Sequence, residues 1–266
     1  MKALSAWALM GIVGLGMGYS PRTDCPRVTA ASAIVMNVET GQILYTKRIH
    51  ERWPPGSLVK IMTAWLAIRY AWHKLGRVTP QAAHLGGASL GLPIGLKLPL
   101  DRLVPAMMMA SGNDAAEVVA TTVAGTDRAF VRKMNDTAGQ WHLGTIHFGN
   151  ATGLPANNQW TTAEAMARLA RHVIKNPVFR AMVRATSESL WIRHVPHFYV
   201  NQNQLIGGFP GTTGIKMGYT RQGGATLVAT ADRGHQDLIV VLLHDNLADV
   251  WPDAARLLVW GFSHDR

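Results

Sequence analysis

Three short motifs stand in chain order: Ser57-Leu58-Val59-Lys60, Ser111-Gly112-Asn113 and Lys216-Met217-Gly218. A serine hydroxyl is a weak nucleophile until a base removes its proton, and a lysine amine is such a base only when its pKa, about 10.4 in water, is depressed. A three-residue spacing puts Lys60 on the same helix face as Ser57, one turn on, so the two groups can meet. Burial and a neighbouring cation both depress a lysine pKa. Lys216 is a candidate for that cation, and the positive end of a helix beginning at Ser57 adds to the same field. The field also favours a developing oxyanion, so the residue types fit serine-based acyl transfer. Singly, each motif has an ordinary reading as a helix N-terminal serine, a turn and a strand-surface cation; their order sets those readings aside.

Several elements must position these groups. Pro54-Pro55-Gly56 breaks the chain before Ser57, after which Leu58, Ile61, Met62, Trp65, Ile68 and Trp72 recur at helical spacing. That pattern predicts a buried helix stopping at Gly76, so that Lys74-Leu75-Gly76, a second Lys-x-Gly, reads as its C-cap. Upstream, residues 33–38 and 42–45 flank a Glu39-Thr40-Gly41 turn and read as a hairpin. A Gly/Pro-rich stretch, 85–99, leads into helices over 100–110, 114–123, 127–140 and 161–174. Beyond Asn176-Pro177 the pattern turns to strands, near 190–193, 215–219, 225–231 and 238–244, and a last helix covers 248–262. The expected fold is α+β: an antiparallel sheet shared by both ends of the body and flanked by helices, with a helical cluster inserted.

Composition bounds the partners. With 266 residues, 48% apolar and 16% charged, the chain is neither disordered nor a minimal disulfide-stapled scaffold. Cys25 is the single cysteine, which excludes an internal disulfide and zinc held by paired thiolates. The eleven histidines show no metal-binding spacing, and His194-Val195-Pro196-His197 reads as solvated histidine; no metal or cofactor is expected. The nine tryptophans and twelve methionines are expected to fill the core. A formal charge of +10 implies anionic surroundings: nucleic acid, acidic lipid or cell-wall polymer. The densest basic cluster is only Lys47-Arg48, which argues against nucleic acid.

Met1-Lys2 followed by the apolar, Gly-rich residues 3–19 matches a secretory signal. Residues 1–30 are therefore expected to be a signal peptide or N-terminal anchor plus linker, and 31–266 a single extracytoplasmic catalytic domain. Membrane contact is expected only if residues 3–19 stay uncleaved.

The three motifs and their flanks resemble the serine-type D-alanyl-D-alanine carboxypeptidases, the low-molecular-mass penicillin-binding proteins of peptidase family S11. The resemblance also rests on Pro55 with Met62-Thr63, on Ala110 and Asp114-Ala115, on residues 148–154 and on Asn201-Gln202-Asn203-Gln204-Leu205. Gly214-Ile215 and Tyr219-Thr220 around the third motif, and residues 257–262, complete it. It implies a penicillin-binding-protein/β-lactamase-like transpeptidase fold, β-lactam binding and peptidoglycan stem peptides as substrate. Residue by residue, it implies Ser57 as the acylated nucleophile, Lys60 as its base, Ser111 as proton relay and Asn113 as a holder of the substrate backbone. It further implies Lys216, Met217, Gly218, Tyr219 and Thr220 at the substrate, with the N–H groups of Ser57 and Tyr219 as oxyanion hole.

Met217 departs from the family pattern, which has Thr or Ser there to bind the substrate carboxylate; that recognition is expected to weaken or to shift to Thr220 or Arg221. The interval from Lys60 to Ser111 is short for the family, so a cleft-side loop is expected to be trimmed. Gly87-Ala88-Ser89-Leu90-Gly91 fits a hydrolase elbow pattern but lacks the strand and helix around it and reads as a loop. A β-lactamase would need a glutamate-activated water, and Glu117, Glu164 and Glu188 lack the context for it. The alternatives are a D,D-endopeptidase using the same acylation, or a catalytically weakened penicillin- or peptidoglycan-binding protein.

Overall fold

In the computed structural model, residues 25–265 are described; the expected signal or anchor segment within 1–20 lies outside them. The chain opens with β1 (Ser32–Asn37) and β2 (Ile43–Lys47), paired antiparallel as the hairpin pattern predicts. A 3-10 turn, Gly56–Val59, runs into α1 (Lys60–Tyr70), followed by β3 (Leu75–Arg77), α2 (Pro80–Ala83) and β4 (Lys97–Pro99). Four longer helices follow, α3 (Leu100–Ala110), α4 (Asn113–Ala124), α5 (Asp127–Gln140) and α6 (Ala163–Ile174), then α7 (Pro177–Arg184). The remainder is β5 (Ser187–Ile192), β6 (Val195–Val200), β7 (Thr212–Thr220), β8 (Gly224–Arg233), β9 (Gln236–Asp245) and α8 (Val250–His264).

The main sheet has the order β2-β1-β9-β8-β7, so strands from both ends of the body share it, as expected for the α+β arrangement. Its centre is apolar on both faces. Along β9, Ile239, Val241 and Leu243 face the cluster built with α1 and α3 to α6, while Leu238, Val240 and Leu242 face the cluster built with α8. That two-sided burial explains an unbroken apolar run at 238–243 in place of alternation. Before β1, Val28 and Ala30 are buried, Lys47 Nζ donates to Val28 O, and the Thr29 N–H donates to Asp253 of α8. The segment just upstream of residue 31 thus packs on the body.

Four local expectations are corrected. The first helix ends at Tyr70, and Gly76 lies in β3 opposite Leu98. A Cβ there would stand 2.6 Å from Val118 Cγ1, so the glycine serves a close approach to α4 rather than a helix cap. The stretch after Asn176-Pro177 is α7, with Pro177 in its first turn and the Asn176 side chain accepting from Phe179 N at 3.0 Å. Strand β6 also escaped the pattern, because Pro196 interrupts it and five of its six residues are exposed. Methionines such as Met62, Met107 and Met166 do fill the core, whereas none of the described tryptophans is fully buried, and Trp191 is 62% exposed. Indoles here line the margins of the core, partly buried against it, and the N–H groups of Trp53 and Trp260 are buried there without a hydrogen-bond partner among the described residues.

Candidate active site

The Pro-Pro-Gly break delivers Ser57 into the 3-10 turn, and Lys60 is the first residue of α1. Lys60 Nζ lies 3.2 Å from Ser57 Oγ, so the three-residue spacing does bring the pair together. Lys60 is fully buried, and burial first, then the charge of Lys216, pull its pKa well below 10.5; Asp114 acts weakly the other way. Its nitrogen also reaches Asn113 Oδ1 at 2.7 Å and the carbonyl of Thr152. A neutral amine has two hydrogens and one lone pair. With two fixed acceptors taking the hydrogens, the lone pair is left for the Ser57 hydroxyl, the arrangement a base requires.

Ser111 joins α3 to α4 in the left-handed region, φ 62°, a conformation that costs a non-glycine residue roughly 1–2 kcal/mol. The turn aims its hydroxyl into the cleft, where Ser111 Oγ donates to Ser57 Oγ at 2.8 Å. Asn113 N donates to Ala88 O at 2.7 Å, and Asn113 Nδ2 donates to Gly86 O at 2.7 Å, which fastens the loop over 86–92. Asn113 therefore orients Lys60 and that loop together, with one Nδ2 hydrogen left over.

On β7, Lys216 pairs with Val228 and shares its face, toward the helices; it is buried, its pKa is lowered to about 7 by that burial, and Lys216 Nζ donates to Met217 O at 2.9 Å. Met217 pairs with Leu227 and packs, half-buried, against the α8-side cluster while still touching the cleft edge. Gly218 has its reason in close approach: a Cβ would lie 2.8 Å from Ser57 N. That contact brings the backbones of Ser57 and β7 side by side. Tyr219 is exposed at the cleft, and Thr220 Oγ1 accepts from Gly223 N at 2.8 Å, so this hydroxyl is engaged by its own turn.

These groups share a cavity of about 210 Å³ lined by Ser57, Ser111, Asn113, Thr152, Tyr219 and Gln202, among others. Gly87 and Ala88 also line it, so the loop with the elbow-like pattern is a loop, as read, and at the same time a wall of the site. Ser89 is no nucleophile, since its hydroxyl donates to Asp114 Oδ2 at 2.7 Å. None of Glu117, Glu164 and Glu188 lines the cavity. Glu117 instead accepts from Gln81 Nε2 at 3.3 Å. Among the described residues no group of three or more His, Cys, Asp or Glu could hold a metal ion.

Two contributors were not singled out for a role from sequence. Asp114, fully buried, accepts from Leu90 N, Leu92 N, Ser89 Oγ and Ala115 N, and so holds the 86–92 loop against the cleft. The Thr152 carbonyl acts through backbone and leaves no side-chain signal; its neighbour Gly153, φ 86°, is the visible trace, because a Cβ there would lie 2.0 Å from Gly56 O.

A helix-flanked antiparallel sheet with a half-buried serine beside a buried lysine, a second serine bonded to the first and a lysine on the edge strand define a serine acyl-transfer enzyme of the penicillin-binding-protein fold. The comparisons narrow this class. A family model described as D-alanyl-D-alanine carboxypeptidase matches residues 20–246. The D-alanyl-D-alanine carboxypeptidase DacF of Bacillus subtilis (strain 168) is 32% identical over 256 residues, covering 91% of this chain and 66% of that protein. DacB2 of Mycobacterium tuberculosis is 28% identical over 257 residues, covering 92% and 86%. Among solved structures, a D-alanyl-D-alanine carboxypeptidase of Mycobacterium tuberculosis superposes with a TM-score of 0.86 at 26% identity, covering 90% of this chain and 93% of that one. A mutant of Streptomyces K15 DD-transpeptidase gives 0.84 at 25%, covering 90% and 99%. The chain belongs to the D-alanyl-D-alanine carboxypeptidase family, peptidase family S11, serine hydrolases of cell-wall metabolism.

Proposed function

We propose that this chain removes the terminal D-alanine from peptidoglycan stem peptides ending in D-Ala-D-Ala, through an acyl-enzyme on Ser57. The observation that carries the reading is Lys60 Nζ, buried, with a lowered pKa and 3.2 Å from Ser57 Oγ. Neutral Lys60 takes the Ser57 proton as Oγ attacks the penultimate D-Ala carbonyl, and the oxyanion is held by the N–H groups of Ser57 and Tyr219. The C–N bond breaks as the proton returns through Ser111 Oγ to the leaving amine. Water then attacks the ester, freeing the shortened peptide and the Ser57 hydroxyl. Lys216 faces the substrate carboxylate, whose arrival favours the charged lysine. Met217, Gly218 and Thr220 complete that edge of the cleft, and Asn113 offers its free Nδ2 hydrogen to the substrate backbone.

A β-lactam acylates the same serine, and with no glutamate among the described residues that line the cleft to activate water the adduct is long-lived. The enzyme is addressed outward by residues 1–20, and the +10 charge holds it near an anionic envelope. Incubation with a labelled penicillin followed by intact mass, beside D-alanine release from a pentapeptide, tests the reading. One adduct, lost in Ser57→Ala, together with D-alanine release is expected; no adduct at Ser57 overturns it.

A further inference from the structure

A second cavity, about 380 Å³, adjoins the cleft, and the two share Gly153 and Thr220 as walls. Its position relative to the reaction follows from β7. Lys216 marks the leaving-group side and Tyr219 the scissile carbonyl, so a substrate laid along the strand sends its acyl portion toward Thr220 and Gln222, which line this second cavity. The walls are rigid. Trp53 exchanges backbone hydrogen bonds with Thr161 and stacks on His244 with ring centroids 4.1 Å apart; Trp160 exchanges them with His147 and stacks on its ring at 5.1 Å.

The charge of the lining is one-sided. Among the described residues, Arg52 is the only charged one in it, and no aspartate or glutamate lines the cavity. The Arg52 guanidinium sits 5.1 Å from the Trp160 ring centroid and makes no ion pair among the described residues. A guanidinium lying over an indole face has its N–H edge oriented in advance, which is the geometry that receives a carboxylate through two parallel hydrogen bonds. Polar groups elsewhere in the lining are partly committed: Gln159 spends its amide on Gly149 N, Asn150 N and Leu154 O. Gln222 is exposed at the mouth.

We infer that this cavity is an acyl-side subsite that receives a free carboxylate of the peptide, located upstream of the scissile D-Ala-D-Ala bond, and pairs it with Arg52. The inference rests on the proposed carboxypeptidase reading and adds to it a demand on the substrate: an anionic group on the acyl side. A test uses two synthetic peptides ending in D-Ala-D-Ala that differ only in an acyl-side carboxylate versus its carboxamide. The expected kcat/KM ratio in favour of the carboxylate is about tenfold or more, carried by KM, as for one charge-assisted pair. Arg52→Gln brings the ratio to one, and Arg52→Lys, which keeps the charge without the fork, retains part of it. Because the ratio is taken within one protein, a general loss of activity or folded fraction cancels. Equal kcat/KM for both peptides in the wild type, or an unchanged ratio in Arg52→Gln, overturns the subsite while leaving the carboxypeptidase reading intact. Absence of D-alanine release from both peptides overturns that reading and this inference with it.

Discussion

Asn113 Oδ1 accepts from Lys60 Nζ at 2.7 Å across the interface of α4 and α1, and the other end of the same amide donates to Gly86 O. One carboxamide therefore sets both the orientation of the base and the position of the loop that walls the cleft.

Acylation needs neutral Lys60, so its rate rises with pH through the Lys60 pKa, which lies well below 10.5 because of burial and Lys216. Replacing Lys216 by Gln removes the neighbouring positive charge that Lys216 carries below about pH 7. The Lys60 pKa then rises and the ascending limb of the penicillin acylation profile moves to higher pH. A stopped-flow pH series measures it, and a limb that stays in place rejects the electrostatic link.

Asp114→Asn keeps the shape but sets an NH₂ against the N–H groups and hydroxyl it now serves. Unpaired buried donors cost about 2–4 kcal/mol in total. Hydrogen exchange should accelerate at the Leu90 and Leu92 amides, and kcat/KM should fall with them. Unchanged protection at both amides would contradict the role given to this carboxylate.

Gly153→Ala forces a Cβ onto Gly56 O at a positive φ. A loss of more than about 3 kcal/mol in denaturant unfolding is expected, with acylation of the surviving folded protein reduced, since Gly56 immediately precedes the nucleophile. Wild-type behaviour in both assays would refute the contact.

Met217→Thr places a hydroxyl at the cleft edge near the substrate carboxylate. A gain of roughly 3–10-fold in kcat/KM on a D-Ala-D-Ala peptide is expected, the size of one hydrogen bond. Lost packing against the α8-side cluster should lower stability by about 1 kcal/mol. A steady-state value equal to or below wild type sinks this prediction.

Burial, with Asp127 nearby, lifts the pKa of Glu117 from 4.5 to about 7. The folded state thus prefers the protonated acid, so this stabilising contribution is full below pH 4.5 and is lost as pH rises through 7. Glu117→Gln should stabilise the protein by on the order of 1–3 kcal/mol at pH 8 and by nothing near pH 4. Thermal scans at the two pH values decide it; an equal gain at both would point to packing.

The side chains proposed to react could be picked out together because two of the three motifs are local and place their own groups: Ser57 with Lys60 across one turn, Ser111 with Asn113 around one helix junction. Lys216 is singled out by motif order and the family resemblance, while its burial on the helix-facing side of β7 comes from the fold. Context that arises from tertiary approach was not legible. Gly76 looks like a helix stop in one dimension, and only the Val118 side chain against it shows why it is a glycine. Pro177 looks like a breaker until Asn176 is seen capping the turn it begins. Thr152 contributes a carbonyl, which every residue type has, so no pattern of side chains could announce it.

The contact between Gly153 and Gly56 is backbone against backbone, and it forms part of the partition between the reaction cleft and the Arg52 cavity. Such a partition leaves little to tune by side-chain exchange, whereas Arg52 and Gln222 meet the cavity beyond it with exposed side chains that make no side-chain hydrogen bond among the described residues. The boundary therefore separates two kinds of change: a substitution at Arg52 or Gln222 alters the second cavity, while the backbone that carries Ser57 stays where the Gly56–Gly153 contact holds it.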